Sequence, residues 1–361
     1  MNIGKLNLHG NLVLAPMSGV TNLPLRLLCK KYGASLVYSE MISSEAVVRE
    51  NHNSIALGLI APQERPVGIQ LMGSEPDTLQ RSAQILEKIY RPDIIDLNCG
   101  CPAQEVVRSG CGCALLENSG IIREIIERLT GALKAPVTAK MRVLDSTDST
   151  VEVAKTIEKA GASALTVHGR TQKQGYSGKV NLEIIKAIKS AISIPVIANG
   201  DIRDEKIASH MLHYTQCDGL MTGRAAIGDP YIFHRISHYL KTGEMLPQRT
   251  FDERLNDFFE YVKLCRRYDL LAFNDLKLKA QRFLKNRENI KCVRERLNGA
   301  VDVDSIMKIM EEAKAGTFQT SISTAPSSSV HMPLAPAISF LKKPFQYVRL
   351  CENYRATTYL L

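Results

Sequence analysis

The sequence predicts an α/β fold in which a (β/α)8 TIM barrel is followed by a smaller C-terminal helical domain. Short apolar, β-branched runs alternate with helical patterns from residue 11 to about residue 225. Nearly every run ends in small or chemically capable residues, which a barrel gathers at one mouth. After Asp229 the strand pattern stops. A doubly wound open sheet has the same alternation of strands and helices, so the number of strands favours the barrel only moderately. The polar residues at the strand ends are the stronger indication.

Eight barrel strands are predicted, each a short run of apolar and β-branched residues. They cover residues 12–15, 36–39, 67–71, 94–98, 137–141, 164–168, 196–199 and 219–222. Helices are predicted between them where apolar residues recur every three or four positions, at 78–90, 121–133, 151–160 and 182–191. We therefore expect the barrel domain to span residues 1–240.

The rest of the chain divides into a helical part and an irregular part. Apolar residues such as Leu255, Phe258 and Val262 recur at helical spacing, and the pattern continues to about residue 314. This predicts a helical domain over residues 245–315. Residues 317–340 are rich in Ser, Thr, Ala and Pro and too polar for a core, so we expect 316–361 to be a flexible extension.

The composition is that of an ordinary globular protein. The 361 residues are 45% hydrophobic and 23% charged, which excludes disordered and fibrous classes. The chain has no apolar run of membrane-spanning length and no secretory signal pattern, so a cytoplasmic protein without a membrane partner is expected. Nine cysteines, an odd number, indicate reduced thiols. A formal net charge of +9 is compatible with a polyanionic partner such as nucleic acid, or with solubility alone.

Four thiols, Cys99, Cys101, Cys111 and Cys113, lie within fifteen residues. A metal site is disfavoured because both pairs are spaced C-x-C, so no metal is predicted; a redox pair or a single reactive thiol remains. Cys99 alternates with its neighbours at a strand end and is expected to be buried. Cys101 follows the strand between Gly and Pro, and such a loop would expose its thiol over the barrel mouth. Cys101 is therefore the candidate for chemistry.

The later strands carry residues suited to a phosphate and a flavin. Barrels often bind phosphate with the loops after strands seven and eight, where this sequence has Asn199-Gly200-Asp201 and Gly223-Arg224. Lys140 and His168 end adjacent strands, and a cation there would favour a reduced flavin. Gln70 could meet the polar edge of the ring. On spacing alone, His168 could equally be a hydrogen-bonded core histidine.

Taken together, these segments resemble the flavin-dependent tRNA dihydrouridine synthases, most closely the B-type bacterial and archaeal branch. The resemblance extends from residue 11 to about 310 and departs from the family pattern at Cys99 and Cys113. The matching segments begin at Ala15-Pro16-Met17, Asn98-Cys99-Gly100-Cys101-Pro102, Gly110-Cys111-Gly112-Cys113, Lys140-Met141-Arg142, Val167-His168-Gly169-Arg170 and Asn199-Gly200-Asp201.

The resemblance implies an enzyme that uses FMN, with NADPH as reductant, to reduce the C5–C6 double bond of selected tRNA uridines. Cys101 matches the catalytic cysteine, expected to give a proton to C5 while hydride passes from the flavin to C6. The residues implied to contact FMN are Ala15, Pro16, Met17, Gln70, Lys140, His168, Asn199, Gly200, Asp201, Gly223 and Arg224.

A basic stretch follows the barrel. Residues 277–296 contain eight Lys or Arg against two Glu, which predicts an RNA-binding face, although a solvated helix face has the same pattern. A uridine inside folded tRNA must be flipped out to reach a barrel mouth, and RNA contacts would offset that cost. The expected RNA contacts are Lys277, Lys279, Arg282, Lys285 and Arg287.

Two other functions fit parts of this pattern. An FMN barrel of the dihydroorotate dehydrogenase kind would act on a free pyrimidine, but would need no basic helical domain. A non-catalytic RNA-binding or thiol-sensing protein is disfavoured by Lys140, His168 and Cys101. The sequence does not determine which uridine is modified, the preference for NADPH over NADH, or the oligomeric state, for which a monomer is the expectation.

Overall fold

The structure, a computed structural model, describes residues 1–284 and 291–316. Its strands are β1 (Asn2–Ile3), β2 (Leu6–Asn7), β3 (Leu12–Leu14), β4 (Leu36–Ser43), β5 (Val67–Met72), β6 (Ile94–Cys99), β7 (Val137–Arg142), β8 (Leu165–His168), β9 (Val196–Asn199) and β10 (Gly219–Thr222). Strands β3 to β10 form a closed parallel barrel in which β10 pairs back onto β3, while β1 and β2 form an antiparallel pair. The TIM-barrel prediction is confirmed, and each predicted strand occurs.

Helices cover the barrel and continue beyond it. They are α1 (Leu23–Lys31), α2 (Ser44–Val48), α3 (His52–Ala56), α4 (Pro76–Tyr90), α5 (Gln104–Arg108), α6 (Ser119–Ala132), α7 (Thr147–Lys159), α8 (Leu182–Ala191), α9 (Glu205–Thr215), α10 (Ile232–Thr242), α11 (Phe251–Arg267), α12 (Phe273–Phe283), α13 (Lys291–Gly299) and α14 (Val303–Ala315). Short 3-10 turns lie at Pro62–Glu64, Gly112–Glu117 and Arg224–Ile227. The four predicted helices occur as α4, α6, α7 and α8.

Strand alternation separates an outer core from the barrel interior. Along β6, Ile95 and Leu97 belong to the large core between strands and helices, while Ile94 belongs to a smaller interior cluster. Successive side chains of a strand point to opposite faces, so Asp96 and Asn98 follow Ile94 into the interior. Both are buried. The interior is therefore apolar at the start of the strands and polar at their carboxyl ends.

The C-terminal helices pack on α1 through partly buried polar contacts. Asn22, which caps α1, donates its Nδ2–H to Tyr261 Oη at 2.7 Å and to Asp275 Oδ2 at 3.2 Å. Tyr32, just after α1, donates its hydroxyl to Asp257 of α11 at 2.5 Å. These contacts fix the helical part beside the barrel mouth. The division into domains at 240 and 245 stays a prediction, and the expected extension, apart from residue 316, lies outside the described residues.

No helix in the described part of the chain combines the length and the apolar character needed to cross a membrane.

Candidate active site

A cavity of about 410 Å³ opens at the carboxyl ends of the barrel strands. Its wall is built from the loops that follow β3, β6, β8, β9 and β10, together with inward side chains of β4, β5 and β7. The structure brings into this wall the candidate catalytic thiol and every residue singled out for the flavin: Cys101, Ala15, Pro16, Met17, Gln70, Lys140, His168, Asn199, Gly200, Asp201, Gly223 and Arg224.

The loop that carries Cys101 is held by Asn98, the last inward residue of β6. Asn98 Oδ1 accepts the backbone N–H groups of Gly100 and Cys101, both at 3.0 Å. Asn98 Nδ2 donates to Gln70 Oε1 at 2.8 Å, so the same side chain is anchored on β5. Cys101 itself is half-buried in the cavity wall. Asn98 thus fixes the backbone that presents the thiol.

The same loop is clamped from two other sides. Gly112, with φ +62°, sits so close that a Cβ there would lie 2.6 Å from the carbonyl oxygen of Cys101, so a side chain would push the loop away. The N–H of Cys113 donates to that oxygen at 3.1 Å. Arg142, at the end of β7, donates its Nε–H to the carbonyl oxygen of Gly100 at 2.9 Å and its Nη1–H to loop carbonyls after β8.

Lys140 lines the cavity, and the carboxyl group of Asp96 is buried beneath the cavity wall. Asp96 accepts hydrogen bonds from Gln70 Nε2 at 2.7 Å and from Thr138 Oγ1 at 2.6 Å. Burial raises the pKa of Asp96 to about 6, and burial also lowers the pKa of Lys140 to about 8 although Asp96 opposes that shift. Among the described residues, Lys140 Nζ has no hydrogen-bond partner. A cavity ligand with a negative edge would supply one.

His168 is held neutral over the cavity. Burial, followed by the nearby cations Lys140 and Arg142, lowers its pKa to about 2. A neutral imidazole can donate one hydrogen bond and accept another. Gly200, with φ +126°, approaches the ring so closely that a Cβ would lie 2.9 Å from His168 Cδ2 and 2.6 Å from Val180 Cγ2. Glycine is required there both by conformation and by space.

The loops after β9 and β10 carry the charges expected for a phosphate. Asp201 forms an ion pair with Arg170 at 2.5 Å. The Arg170 guanidinium is buried, and its Nη1 finds no hydrogen-bond partner among the described residues. Arg224 is half exposed, lies 3.6 Å from Asp201, and stacks 4.8 Å from the ring centre of Tyr176. Because Arg170 compensates Asp201, the Arg224 charge remains available to an anion at the rim of the cavity.

The other three thiols of the cluster are buried, as expected for cysteines that pack in a core. Cys99 is buried as expected, and burial raises the pKa of its thiol. Burial also raises the pKa of Cys113 to about 11. Cys111 is buried beside them. Within the described ranges, no three His, Cys, Asp or Glu side chains come together as a metal site would need. Of the four clustered thiols, only Cys101 lines the cavity.

The five expected RNA contacts fall into four groups. Lys279 is fully buried, donating to the carbonyl oxygen of Val20 at 2.8 Å and pairing with Asp275 at 2.9 Å, so its assignment to an RNA face is wrong. Lys277 is half-buried and donates to two carbonyls at the end of α13. Arg282 lies on the rim of the cavity. Lys285 and Arg287 lie outside the described residues.

The donor set fits a flavin. Lys140 lacks a hydrogen-bond partner in the described part of the chain, Gln70 and Asn199 place amide groups in the wall, and Arg224 offers a cation on the side where barrels hold phosphate. Gly200 has no Cβ, so its backbone can approach the His168 ring closely. The cavity thus combines a cation for the negative edge of a ring with a second cation for a phosphate.

Three contributors were missed by the sequence reasoning. Asn98 stands in the quoted motif, and asparagine readily binds nearby backbone N–H groups, so its spacing to Gly100 was an available signal. Arg142 follows Lys140 by two positions, which places both on one face of β7. Tyr176, 63% exposed, stacks against Arg142 and Arg224, and nothing in its loop sequence marks it.

Comparison with known proteins places the chain among dihydrouridine synthases. The family model described as "Dihydrouridine synthase (Dus)" matches residues 13–318. The chain is 42% identical over 266 residues to a "Probable tRNA-dihydrouridine synthase" of Rickettsia bellii, covering 73% of this chain and 81% of the relative. It is 37% identical over 309 residues to "tRNA-dihydrouridine synthase B" of Pseudomonas putida, covering 84% and 91%. The protein of that name from Pseudomonas aeruginosa is 40% identical over 264 residues, covering 73% and 79%.

Proposed function

The chain belongs to the dihydrouridine synthase family, and from this we propose the chemistry of its cavity. The protein is a flavin-dependent oxidoreductase that reduces uridine in tRNA to dihydrouridine. One observation supports the assignment of its parts: the Cys101 thiol stands in the wall of the same cavity as Lys140 and His168, on a loop clamped from three sides.

The reaction adds a hydride to C6 and a proton to C5 of the uracil ring. The bound flavin, FMN in this proposal, supplies the hydride. Lys140 and Arg224 hold the flavin at its ring and phosphate, and His168 stays neutral so that it can hydrogen-bond without adding charge. Cys101 donates the proton from its Sγ as the general acid. The protein chiefly positions these groups, since a misplacement of about 1 Å can cost about a hundredfold in rate.

We propose NADPH as the reductant and a ping-pong order. Nicotinamide and uridine must both reach the flavin from one cavity of about 410 Å³, so the nicotinamide leaves before the uridine enters. Arg282 on the rim would meet a phosphate of the RNA beside the extruded uridine. Flipping that base costs a few kcal/mol, which such contacts offset. Since its substrate is tRNA, we expect the enzyme to act in the cytoplasm.

Substitution of Cys101 by alanine tests the proposal. Cys101→Ala should bind FMN and be reduced by NADPH at the wild-type rate, because the thiol takes part only in the second half-reaction. Dihydrouridine formation in tRNA, measured by mass spectrometry, should fall about 100- to 10,000-fold with loss of the general acid. Cys292→Ala removes a half-buried thiol that does not line the cavity and is the matched control.

Two outcomes would contradict the assignment. Unchanged tRNA reduction by Cys101→Ala would remove the thiol from the mechanism. Turnover of free uridine as fast as that of tRNA would show that the enzyme acts on the free pyrimidine. That result would favour the alternative function, an enzyme of the dihydroorotate dehydrogenase kind.

A further inference from the structure

A second cavity of about 530 Å³ lies beside the first, between the loops after β9 and β10 and the segment that leads into α11. We call it the arginine groove, after the six arginines that line it: Arg203, Arg224, Arg235, Arg249, Arg254 and Arg282. Arg224 and Arg282 also line the first cavity, so the two cavities adjoin at these side chains.

The carboxylates of the groove are already engaged. Asp204 accepts the N–H of Ile207 at 2.8 Å as the cap of α9. Glu205 and Asp229 both pair with Arg235, at 3.0 and 2.6 Å. These three are the acidic members of the groove lining in the part of the chain that the structure describes. Glu205 and Asp229 are thus paired with Arg235, while Asp204 keeps its charge and forms no ion pair with the described residues.

Two arginines of the groove are left without a carboxylate. Arg203 is exposed, and neither Arg203 nor Arg282 forms an ion pair or a side-chain hydrogen bond with the described residues. Arg249, by contrast, pairs with Asp257 at 2.6 Å. Within the described residues, the groove thus presents arginines that form no ion pair at Arg203 on one side and at Arg282 on the rim shared with the first cavity.

An apolar surface adjoins these charges. Met245 is 54% exposed although it is a large hydrophobic side chain, and Leu246 lines the groove next to it. Apolar area beside fixed cations matches a nucleotide, which has a flat base and charged phosphates. The volume lies within the range of about 300–1,000 Å³ for small-molecule pockets, which suits one nucleotide rather than a folded RNA.

We propose that the arginine groove binds the phosphorylated adenosine half of the reductant, with Arg203 facing its 2′-phosphate. This inference rests on the proposed function, since it takes NADPH as the reductant. The nicotinamide half would then enter the first cavity past Arg224 and Arg282. Arginine is the side chain that accommodates the 2′-phosphate where proteins select NADP over NAD. The groove would therefore set the preference for NADPH.

The test uses the flavin-loaded enzyme with 2′,5′-ADP and with 5′-AMP, which lacks the 2′-phosphate, both titrated calorimetrically. The wild type should bind 2′,5′-ADP at least about tenfold more tightly, as expected for one charge-assisted hydrogen bond. Arg203→Gln should lose this preference while its affinity for 5′-AMP stays unchanged, and Arg203→Lys should restore part of it. Arg81→Gln is the matched control, because Arg81 is exposed on α4 and outside both cavities.

A second measurement separates the sources of phosphate. Arg203→Gln should raise the apparent Kd for NADPH in anaerobic flavin reduction about tenfold without tRNA, and should leave the affinity for tRNA unchanged. Weaker tRNA binding with unchanged 2′,5′-ADP binding would overturn the inference and assign the groove to RNA phosphates. No change in either ligand would also overturn it. The proposed function fails separately, if wild-type enzyme reduced by NADPH does not reduce uridine in tRNA.

Discussion

Lys140→Met should make the flavin-free protein more stable at neutral pH. The pKa of Lys140 falls from its ordinary 10.5 to about 8 because the ammonium group is buried, so folding disfavours the charged form. Between pH 8 and 10.5 the unfolded chain binds the proton that the folded chain has lost, so wild-type stability rises with pH across this window. At 1.36 kcal/mol per pKa unit, the charged lysine costs at most about 3 kcal/mol at pH 7, and methionine removes that cost.

The assay is urea denaturation of flavin-free wild type and Lys140→Met at several pH values from 6 to 10.5. The difference in unfolding free energy should favour the variant by about 2–3 kcal/mol at pH 7 and shrink above pH 8. Lys88→Met, on the exposed face of α4, should show no such pH-dependent difference. Added FMN should stabilise the wild type more than Lys140→Met, because the ligand supplies the missing partner. A pH-independent difference would refute the reasoning.

Two further substitutions probe the clamp and the close approach. Asn98→Ala leaves two backbone N–H groups unpaired and should cost about 2–4 kcal/mol of unfolding free energy while slowing uridine reduction. Asn98→Asp, which keeps the acceptor, should lose less stability in the same urea titration; an equal loss would contradict the role of Oδ1. Gly200→Ala forces a Cβ against His168 at φ +126° and should lower the free energy of unfolding by about 2–4 kcal/mol. It should also weaken FMN binding, measured by flavin fluorescence. Gly131→Ala is the control, because a Cβ there meets open space and should not destabilise the protein. Wild-type stability in Gly200→Ala would contradict the close approach.

The barrel was predictable because its strands are short, apolar and bounded by turns. Strands β9 and β10 match their predicted limits because burial on both faces makes each a continuous short apolar run. Helix α8 matches as well, because its buried residues recur at helical spacing. Strands β1 and β2 were missed because two residues each are too few to show alternation. Helices α2, α3 and α5 have five residues each, which is little more than one turn and leaves no readable hydrophobic face.

The site was predictable where strand ends carry its residues, since a barrel brings them to one mouth.

Lys279 shows why a count of basic residues does not identify an RNA-binding face. On α12, Leu276, Ala280 and Phe283 are buried, and Lys279 lies between them on the same helical face. Its spacing of three from Leu276 placed it in the interface with the barrel, so helical periodicity carried a signal that the run of basic residues obscured.

The position of Cys101 depends on residues that are distant in sequence, which is why no single motif could specify it. Asn98 fixes the two N–H groups of the loop, the Cys113 N–H and the bare Cα of Gly112 pack against its carbonyl, and Arg142 holds the oxygen of Gly100. Arg142 also binds carbonyls of the loop after β8, so the thiol loop is tied to the loop that carries Tyr176. A general acid gains from such support because the thiol then needs no reorganisation when substrate arrives.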